Sequence, residues 1–424
     1  MPEHGALALA DHRAMHGELP YGTRRERRSA GELVELVEQA GLRGRGGAAF
    51  PLARKLRAVT AAAGRTPLGK RPIVLANASE GEPASAKDRL LLESLPHLVL
   101  DGGVLAARAV GADELIVCVE ESATTALQSL ARALSERERV GGDGLRIGIQ
   151  TVPEGYVSGQ ELALVNLCSG GPAKPTLTPP MPFQRGVRRR PTLINNAETL
   201  AQLALIARHG PRWFRALGTQ IDPGSALVTL SGAVADPGVY EIEHGAPLPA
   251  LIEAAGGSTS GLRAVLLGGY GGTWVDASAI PELALANEQL AAHGASLGAG
   301  VVVLFSGHAC PVAEVARVTR WLSAQSIGQC GPCVHGLDAI AGVVEEVAHG
   351  AATAGVGQRI ARLCSLAAGR GACRHPDGAV RFITSGLEMF AEEFADHARH
   401  GRCEACASAP ELPLPSRVAL AAAA

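Results

Sequence analysis

The stretch Gly41-Leu-Arg-Gly-Arg-Gly-Gly-Ala-Ala-Phe-Pro-Leu-Ala-Arg-Lys55 constrains this chain more than any other. Four glycines and two arginines are interleaved ahead of a lysine. Glycine has no Cβ, so such a backbone can turn sharply and lay its N–H groups against an anion. Arg43, Arg45 and Lys55 add charge suited to a phosphate or pyrophosphate. Gly44, Gly46 and Ala49 satisfy the spacing of a dinucleotide-binding fingerprint, yet that fingerprint follows a strand. Here a helix precedes it: Ser29 and Glu32 resemble a capping box, Leu33, Val34, Leu36 and Val37 recur at helical spacing, and Gly41 closes the run. The loop is a phosphate site of another kind, or a plain surface turn.

Length and composition narrow the rest. A chain of 424 residues allows roughly two to four domains. Hydrophobic residues make up 47% and aromatics only 3%, so Ala, Val and Leu must fill most of the core. A formal charge of −2, with basic runs only at Arg24–Arg28 and Arg185–Arg190, gives nucleic-acid binding no electrostatic support. No run of about 18 apolar residues is present to span a membrane. The first residues do not read as a secretory signal, which points to the cytoplasm. Of nine cysteines, five crowd between Cys330 and Cys403 with Cys406 just beyond, and without an export signal that favours metal ligation over disulfides.

Residues 1–28 read as a polar arm. Pro72-Ile-Val-Leu-Ala-Asn77 is an apolar run that predicts a buried strand ending in Asn77-Ala-Ser-Glu-Gly-Glu-Pro83. The carboxyl end of a parallel strand is where open α/β sheets bind ligands; a solvated turn is the plainer reading. Helices over 104–110 and 122–134 and strands over 114–119 and 146–152 follow, and this alternation predicts a largely parallel sheet. Glu154-Gly-Tyr-Val-Ser-Gly-Gln-Glu161 precedes a helix, and 170–182 is too rich in Pro and Gly for helix or sheet. Asn195-Asn-Ala-Glu-Thr199 opens a helix to about Arg208; paired asparagines suit a heterocycle edge, or simply cap the helix. Strand patterns from Ala226 to Phe305 suggest a β-grasp-like unit, and the remainder reads as an α-helical bundle.

Taken together, these motifs resemble the NADH-binding flavoprotein subunit of respiratory complex I and its relatives in NAD-linked hydrogenases and formate dehydrogenases. The resemblance runs from about Glu32 to His397 and rests on Gly41–Lys55, Asn77–Arg89, Gly155–Glu161, Pro191–Leu200 and the β-grasp stretch Thr229–Leu304, in the family's order, with the cysteines around Cys330 beyond them. It implies an α/β fold: an FMN-binding domain at 29–222, a β-grasp domain at 223–306, a helical iron–sulfur domain at 307–402 and a tail at 403–424. It also implies FMN held by Gly44, Arg45, Gly46, Gly47, Lys55, Asn77, Glu80, Tyr156, Gly159, Asn195 and Asn196. A nicotinamide cofactor, NAD(H), would stack on the flavin beside Glu82 and Glu161, and the electrons would leave singly through an iron–sulfur cluster. Ferredoxin, a thioredoxin-like ferredoxin or a membrane-associated redox complex are the partners implied.

The departures from the family pattern cluster. Ser79 stands for an aspartate, Gln160 for a glutamate, Leu56 for an aromatic, Thr178 for a lysine and Met181 for a phenylalanine. They imply a weaker grip on NADH than on flavin, which Phe50 and Phe183 would offset in part. The cluster motif keeps Cys330 and Cys333, with Cys373 at the distant position, while Ile327 replaces one cysteine. The resulting expectation is a 4Fe-4S or 3Fe-4S cluster on three thiolates, with His375 ahead of His335 as fourth ligand because Arg374-His-Pro would hold it in an extended turn. A zinc site of three cysteines and a histidine, in a non-catalytic scaffold, is the competing reading. Cys118, Cys168 and Cys364 read as core thiols. The pair Cys403 and Cys406 is either metal-binding or incidental.

Overall fold

The computed structural model describes residues 5–20, 29–65, 70–351 and 355–415. The basic run at 24–28 lies outside them, as does the side chain of Ser29, and with it the expected capping box. Two compact units divide the chain: 1–81 with 86–227, and 82–85 with 228–424.

The first unit is built on a four-stranded parallel sheet of β1 (Ile73–Asn77), β2 (Glu114–Glu120), β3 (Arg146–Val152) and β4 (Thr192–Asn196), in the order β3-β2-β1-β4. The first four residues of β1 and all seven of β2 are buried, as expected of central strands covered on both faces, whereas β3 is half-exposed at the edge. The chain leaves β1 towards β2 and β3, then returns to the other side of β1 as β4. Between β1 and β4, therefore, the winding reverses, and ligands of open α/β sheets bind at such a reversal. Register places Asn77 opposite Asn196 there. Asn195 and Asn196 end a strand, and the helix begins only at Ala197; the run Thr192-Leu-Ile had supplied a strand signal too short to read.

The helix Pro96–Val110 lies against Ala197–Phe214 so closely that a Cβ on Gly102 would stand 1.8 Å from the Leu200 carbonyl oxygen. The expected N-terminal arm is partly a packed element. Within the helix Leu9–His16, His12 is buried and its Nε2 lies 2.8 Å from Asp101, which also accepts from Arg137 and Arg208. Burial alone would raise the Asp101 pKa, but His12 and the two guanidinium groups hold it well below the carboxylate range.

In the second unit β5 (Ser225–Gly232, shared across the division), β6 (Gly238–Glu243), β7 (Leu262–Leu267), β8 (Thr273–Asp276) and β9 (Val301–Ser306) form a sheet in the order β6-β5-β9-β7-β8. Helix Leu248–Ala254 contributes Leu248 and Leu251 to its core. Helices Pro311–Ala324, Asp338–Ala348, Val356–Ala367, His375–Met389 and Ala391–His400 complete the unit. The expected boundary at 306/307 does not separate two cores. Trp274 and Phe305 of the sheet pack on Phe382 and Phe390 of the helical part, with Trp274 5.8 Å from Phe382 and 5.2 Å from Phe390 between ring centroids.

The expected tail differs as well. Leu412 is 2% exposed, its N–H donates to Glu314, and Glu411 accepts from the Ser306 N–H. Among the described residues no single helix is long and apolar enough to cross a membrane.

Candidate flavin and iron–sulfur sites

The glycine loop is a closed turn rather than an open nest. Gly44 N–H donates to the Phe50 carbonyl, Leu52 N–H to that of Leu42, and Arg45 N–H to Thr199 Oγ1. Gly47 has φ 100°, a conformation side chains resist, and a Cβ on Gly46 would stand 3.1 Å from Asn196 Cβ. The loop thus presses onto the end of β4. Among the described hydrogen bonds, those fixing it use the amides of Gly44 and Arg45 and leave those of Gly46 and Gly47 for a ligand.

Charge is placed differently from the sequence expectation. The Arg45 guanidinium is buried, 4.0 Å from Glu198 and donating to the Pro223 carbonyl, so it braces the loop from inside instead of facing a phosphate. Arg43 lies 3.4 Å from Asp222. Lys55 remains. From the first turns of helix Leu52–Ala63 its Nζ donates to the Ile194 carbonyl at 3.0 Å, beside the asparagine pair, and an ammonium has two further donors to offer. Beneath the loop sits fully buried Lys87, 2.9 Å from both Asp88 and Glu198. Burial would lower its pKa, yet Asp88, Glu198 and Glu80 outweigh that and raise it, so it is an ammonium at any ordinary pH.

The two asparagines separate in role. Asn196 caps helix Ala197–Phe214 by accepting from Glu198 N–H, and its Nδ2 donates to Asp88 at 2.6 Å. Asn195 is 5% exposed, and its Nδ2 is buried with no protein partner among the described residues. A buried donor left without an acceptor costs about 1–3 kcal/mol, so a polar ligand edge at this point fits the residues present.

Across the crevice, Asn77 Nδ2 donates to the Gly159 carbonyl at 2.9 Å while Asn77 Oδ1 accepts from the Ser79 hydroxyl and amide. A Cβ on Gly159 would stand 2.5 Å from Ser79 Oγ, and one on Gly81 2.8 Å from the Gly155 carbonyl, so these glycines let the loop carrying Tyr156 close on the end of β1. Glu80 accepts from the Asp88 and Arg89 amides at the start of helix Lys87–Ser94, a favourable place for a carboxylate. Gln160 caps the helix that Glu161 begins, its Oε1 accepting from Leu162 and Ala163 N–H. Glu82 belongs to the second unit, where it accepts from Tyr270 N–H. Leu56 is fully buried, so its loss of aromaticity bears on core packing and not on ligand grip. Leu177 and Met181 are exposed, and Phe50 carries the Arg54 guanidinium 5.2 Å above its ring.

Sequence reasoning passed over Glu120, which ends β2 at this same edge and carries no motif. Burial, then the neighbouring Glu80 and Glu154 carboxylates, push its pKa up to about 7 against the pull of Arg89. The folded value lies above the ordinary 4.5, so the folded chain binds more protons between the two and loses stability as pH rises through that window. Glu120→Gln is expected to raise the melting temperature at pH 8 more than at pH 5, a difference on the order of 1–2 kcal/mol. Equal shifts at both pH values in thermal scans would contradict this.

In the second unit Cys330, Cys333 and Cys373 come together. Burial, with the Cys330 and Cys373 thiols beside it, pushes Cys333 up to about 12, and burial also raises Cys373, which accepts from the His375 backbone. These sulfurs do not form a single-ion cage: among the described residues only Cys310, His397, Cys403 and Cys406 gather ligand atoms within 4.8 Å. Wider spacing suits a cluster, which offers one iron to each thiolate. His375 does not sit in an extended turn; it begins helix His375–Met389, because Pro376 fits the first turn of a helix. Its Nε2 is 2.9 Å from the Leu322 carbonyl and must donate to it, which puts the lone pair of the neutral ring on Nδ1. Burial lowers its pKa to about 4, so the ring is neutral near pH 7. His335 is exposed on the π-helical segment Pro332–Leu337.

Comparison with known proteins accords with this geometry. Residues 37–205 match the Nuo51 FMN-binding domain, 227–272 an SLBB domain, and 313–397 the NADH-ubiquinone oxidoreductase-F iron-sulfur binding region. The second F-type subunit of the NADH-quinone oxidoreductase of Rhizobium meliloti is 35% identical over 388 residues, 88% of this chain and 90% of that one. The chain belongs to the F-subunit family of NADH-quinone oxidoreductases. The corresponding F-type subunit of Streptomyces coelicolor is 31% identical over 88% of this chain and 84% of its own. An NAD+-reducing [NiFe]-hydrogenase in its air-oxidized state superposes with TM-score 0.80 at 33% identity over 88% of this chain. The chain spans 63% of that hydrogenase chain's length. As a member of the F-subunit family it is an NADH dehydrogenase-like flavoprotein with an FMN-binding domain and a 4Fe-4S-binding region, and the scaffold reading is not favoured. Its relatives are subunits of redox complexes.

Proposed function

We propose that this chain takes electron pairs from NADH at the β1–β4 crevice and delivers them singly, through the cluster region, to a partner in a cytoplasmic redox complex. The observation that carries the reading is the buried Nδ2 of Asn195, unpartnered among the described residues, at the winding reversal, where a glycine loop with amides to spare presses on neighbouring Asn196 and Lys55 reaches Ile194. FMN, when bound, supplies the conversion of a two-electron donor into one-electron steps. The Gly46 and Gly47 amides and Lys55 would hold its phosphate, and Asn195 would donate to its ring edge. Arg45, Asn77, Glu80, Gly159 and Asn196 position that set through the contacts described, and Tyr156 closes over it. Glu161, at a helix start, would face the nicotinamide cofactor. Cys330, Cys333 and Cys373 would ligate the cluster, with His375 Nδ1 in the position that Ile327 cannot fill. A ferredoxin or thioredoxin-like ferredoxin is the favoured electron partner.

Anaerobic stopped-flow mixing tests this reading: NADH should bleach the flavin absorbance, followed by the cluster's paramagnetic signal. In His375→Ala that signal should change shape while flavin bleaching persists. No bleaching at millimolar NADH would contradict the proposed donor, and an unchanged signal would remove His375 from the ligand set.

A further inference from the structure

A second group of metal-ligating side chains stands apart from Cys330, Cys333 and Cys373. Cys310 precedes helix Pro311–Ala324, His397 lies in the last turn of Ala391–His400, and beyond it Cys403 precedes, and Cys406 lies within, the short turn Glu404–Ala407. Their ligand atoms all fall within 4.8 Å of one another. Cys310 Sγ is 3.4 Å from His397 Nε2, Cys406 Sγ is 3.9 Å from the same nitrogen, and Cys403 and Cys406 Sγ are 3.7 Å apart. A tetrahedral zinc ion, with Zn–S about 2.3 Å and Zn–N about 2.0 Å, sets edges of roughly 3.8 Å between sulfurs and roughly 3.5 Å from sulfur to nitrogen. The cage has that size. An iron–sulfur cluster does not fit it, because each thiolate would have to reach a different iron.

We infer that Cys310, His397, Cys403 and Cys406 bind one structural zinc ion, distinct from the iron–sulfur site, that clasps the C-terminal segment onto the second unit. The ligand set suits it: three thiolates and an imidazole close all four positions, as structural zinc requires, and leave none for substrate. The surroundings suit it too. Cys310 and His397 are buried, and the Ala313 amide at the start of the helix donates to Cys310 Sγ, an orientation that favours a thiolate. Beyond Cys406 the chain is stitched to the same helix and to β9. Ser408 donates to the His308 carbonyl, Glu411 receives Ser306, Leu412 bridges Glu314 and Arg317, and Tyr270 donates to the Pro413 carbonyl. The ion anchors the start of that strap.

Anaerobic protein should contain about one zinc per chain besides its iron. Zinc-edge absorption fine structure should show three sulfurs at about 2.3 Å and one nitrogen at about 2.0 Å. In Cys330→Ser/Cys333→Ser the iron should fall and the zinc remain; in Cys403→Ser/Cys406→Ser the zinc should be lost, the iron kept, and limited proteolysis should cut within 402–415. Wild-type protein with no zinc, with iron in this cage, or with a zinc shell lacking nitrogen would overturn the inference. So would zinc that disappears with Cys330 and Cys333, and the wild-type measurements hold even if a variant fails to fold.

Discussion

Lys87→Met should destabilise the first unit by about 3–5 kcal/mol, the scale of an interior ion pair stripped of one partner. Lys87 is 2% exposed and lies between Asp88 and Glu198, both nearly as buried. Methionine keeps the volume but removes the cation that lies between the two carboxylates. Glu198 already serves Arg45 and the Leu227 amide, so it cannot turn away. Urea unfolding should show the lower midpoint, and neutralising one acid in Lys87→Met/Glu198→Gln should recover part of the loss. A stability within about 1 kcal/mol of wild type would show that the ammonium is not what holds the glycine loop's foundation together.

The second large effect is on ligand binding. Lys55→Ala should weaken FMN binding by about 1.5–3 kcal/mol, roughly 10- to 150-fold, as expected for a charge-assisted hydrogen bond to phosphate. The structure sharpens this expectation by elimination. Arg45 points inward to Glu198, Arg43 to Asp222, and exposed Arg54 stands over Phe50, so Lys55 is the cation of this stretch that sits beside the asparagine pair. Among the described residues its side chain is fixed by the Ile194 carbonyl alone, so the melting temperature of the flavin-free protein should hardly move. Fluorescence titration of released FMN would contradict the assignment if the variant bound as tightly as wild type.

What the sequence made legible follows from how local each signal is. The strand Arg146–Val152 and the run ending at Asn77 could be read because apolar content and turn residues define them within a few positions. The glycine loop and the carboxyl edge of β1 showed in local residue patterns, and the cluster cysteines through the resemblance of their motif to the family's. The direction of Arg45 was not, because only the fold brings Glu198 and Pro223 to it. The same holds for Glu120, an ordinary acid until the sheet buries it beside Glu80 and Glu154. Asn195 and Asn196 looked interchangeable, and the register of β4 with β1 divides a helix cap from a buried donor. Cys310 and His397 were invisible as ligands because 87 residues separate them and no motif links them to Cys403 and Cys406. Long-range pairing decided each of these cases.

The central claim is that the first unit holds FMN at the β1–β4 reversal while the second holds an iron–sulfur cluster. Anaerobic purification followed by an absorption spectrum, with assays of released flavin and iron, tests it most directly. Each chain should carry one non-covalent FMN with its paired visible bands, over a broad iron–sulfur shoulder from about three to four irons. Protein that carries no FMN, takes none up on titration and contains no iron would contradict it.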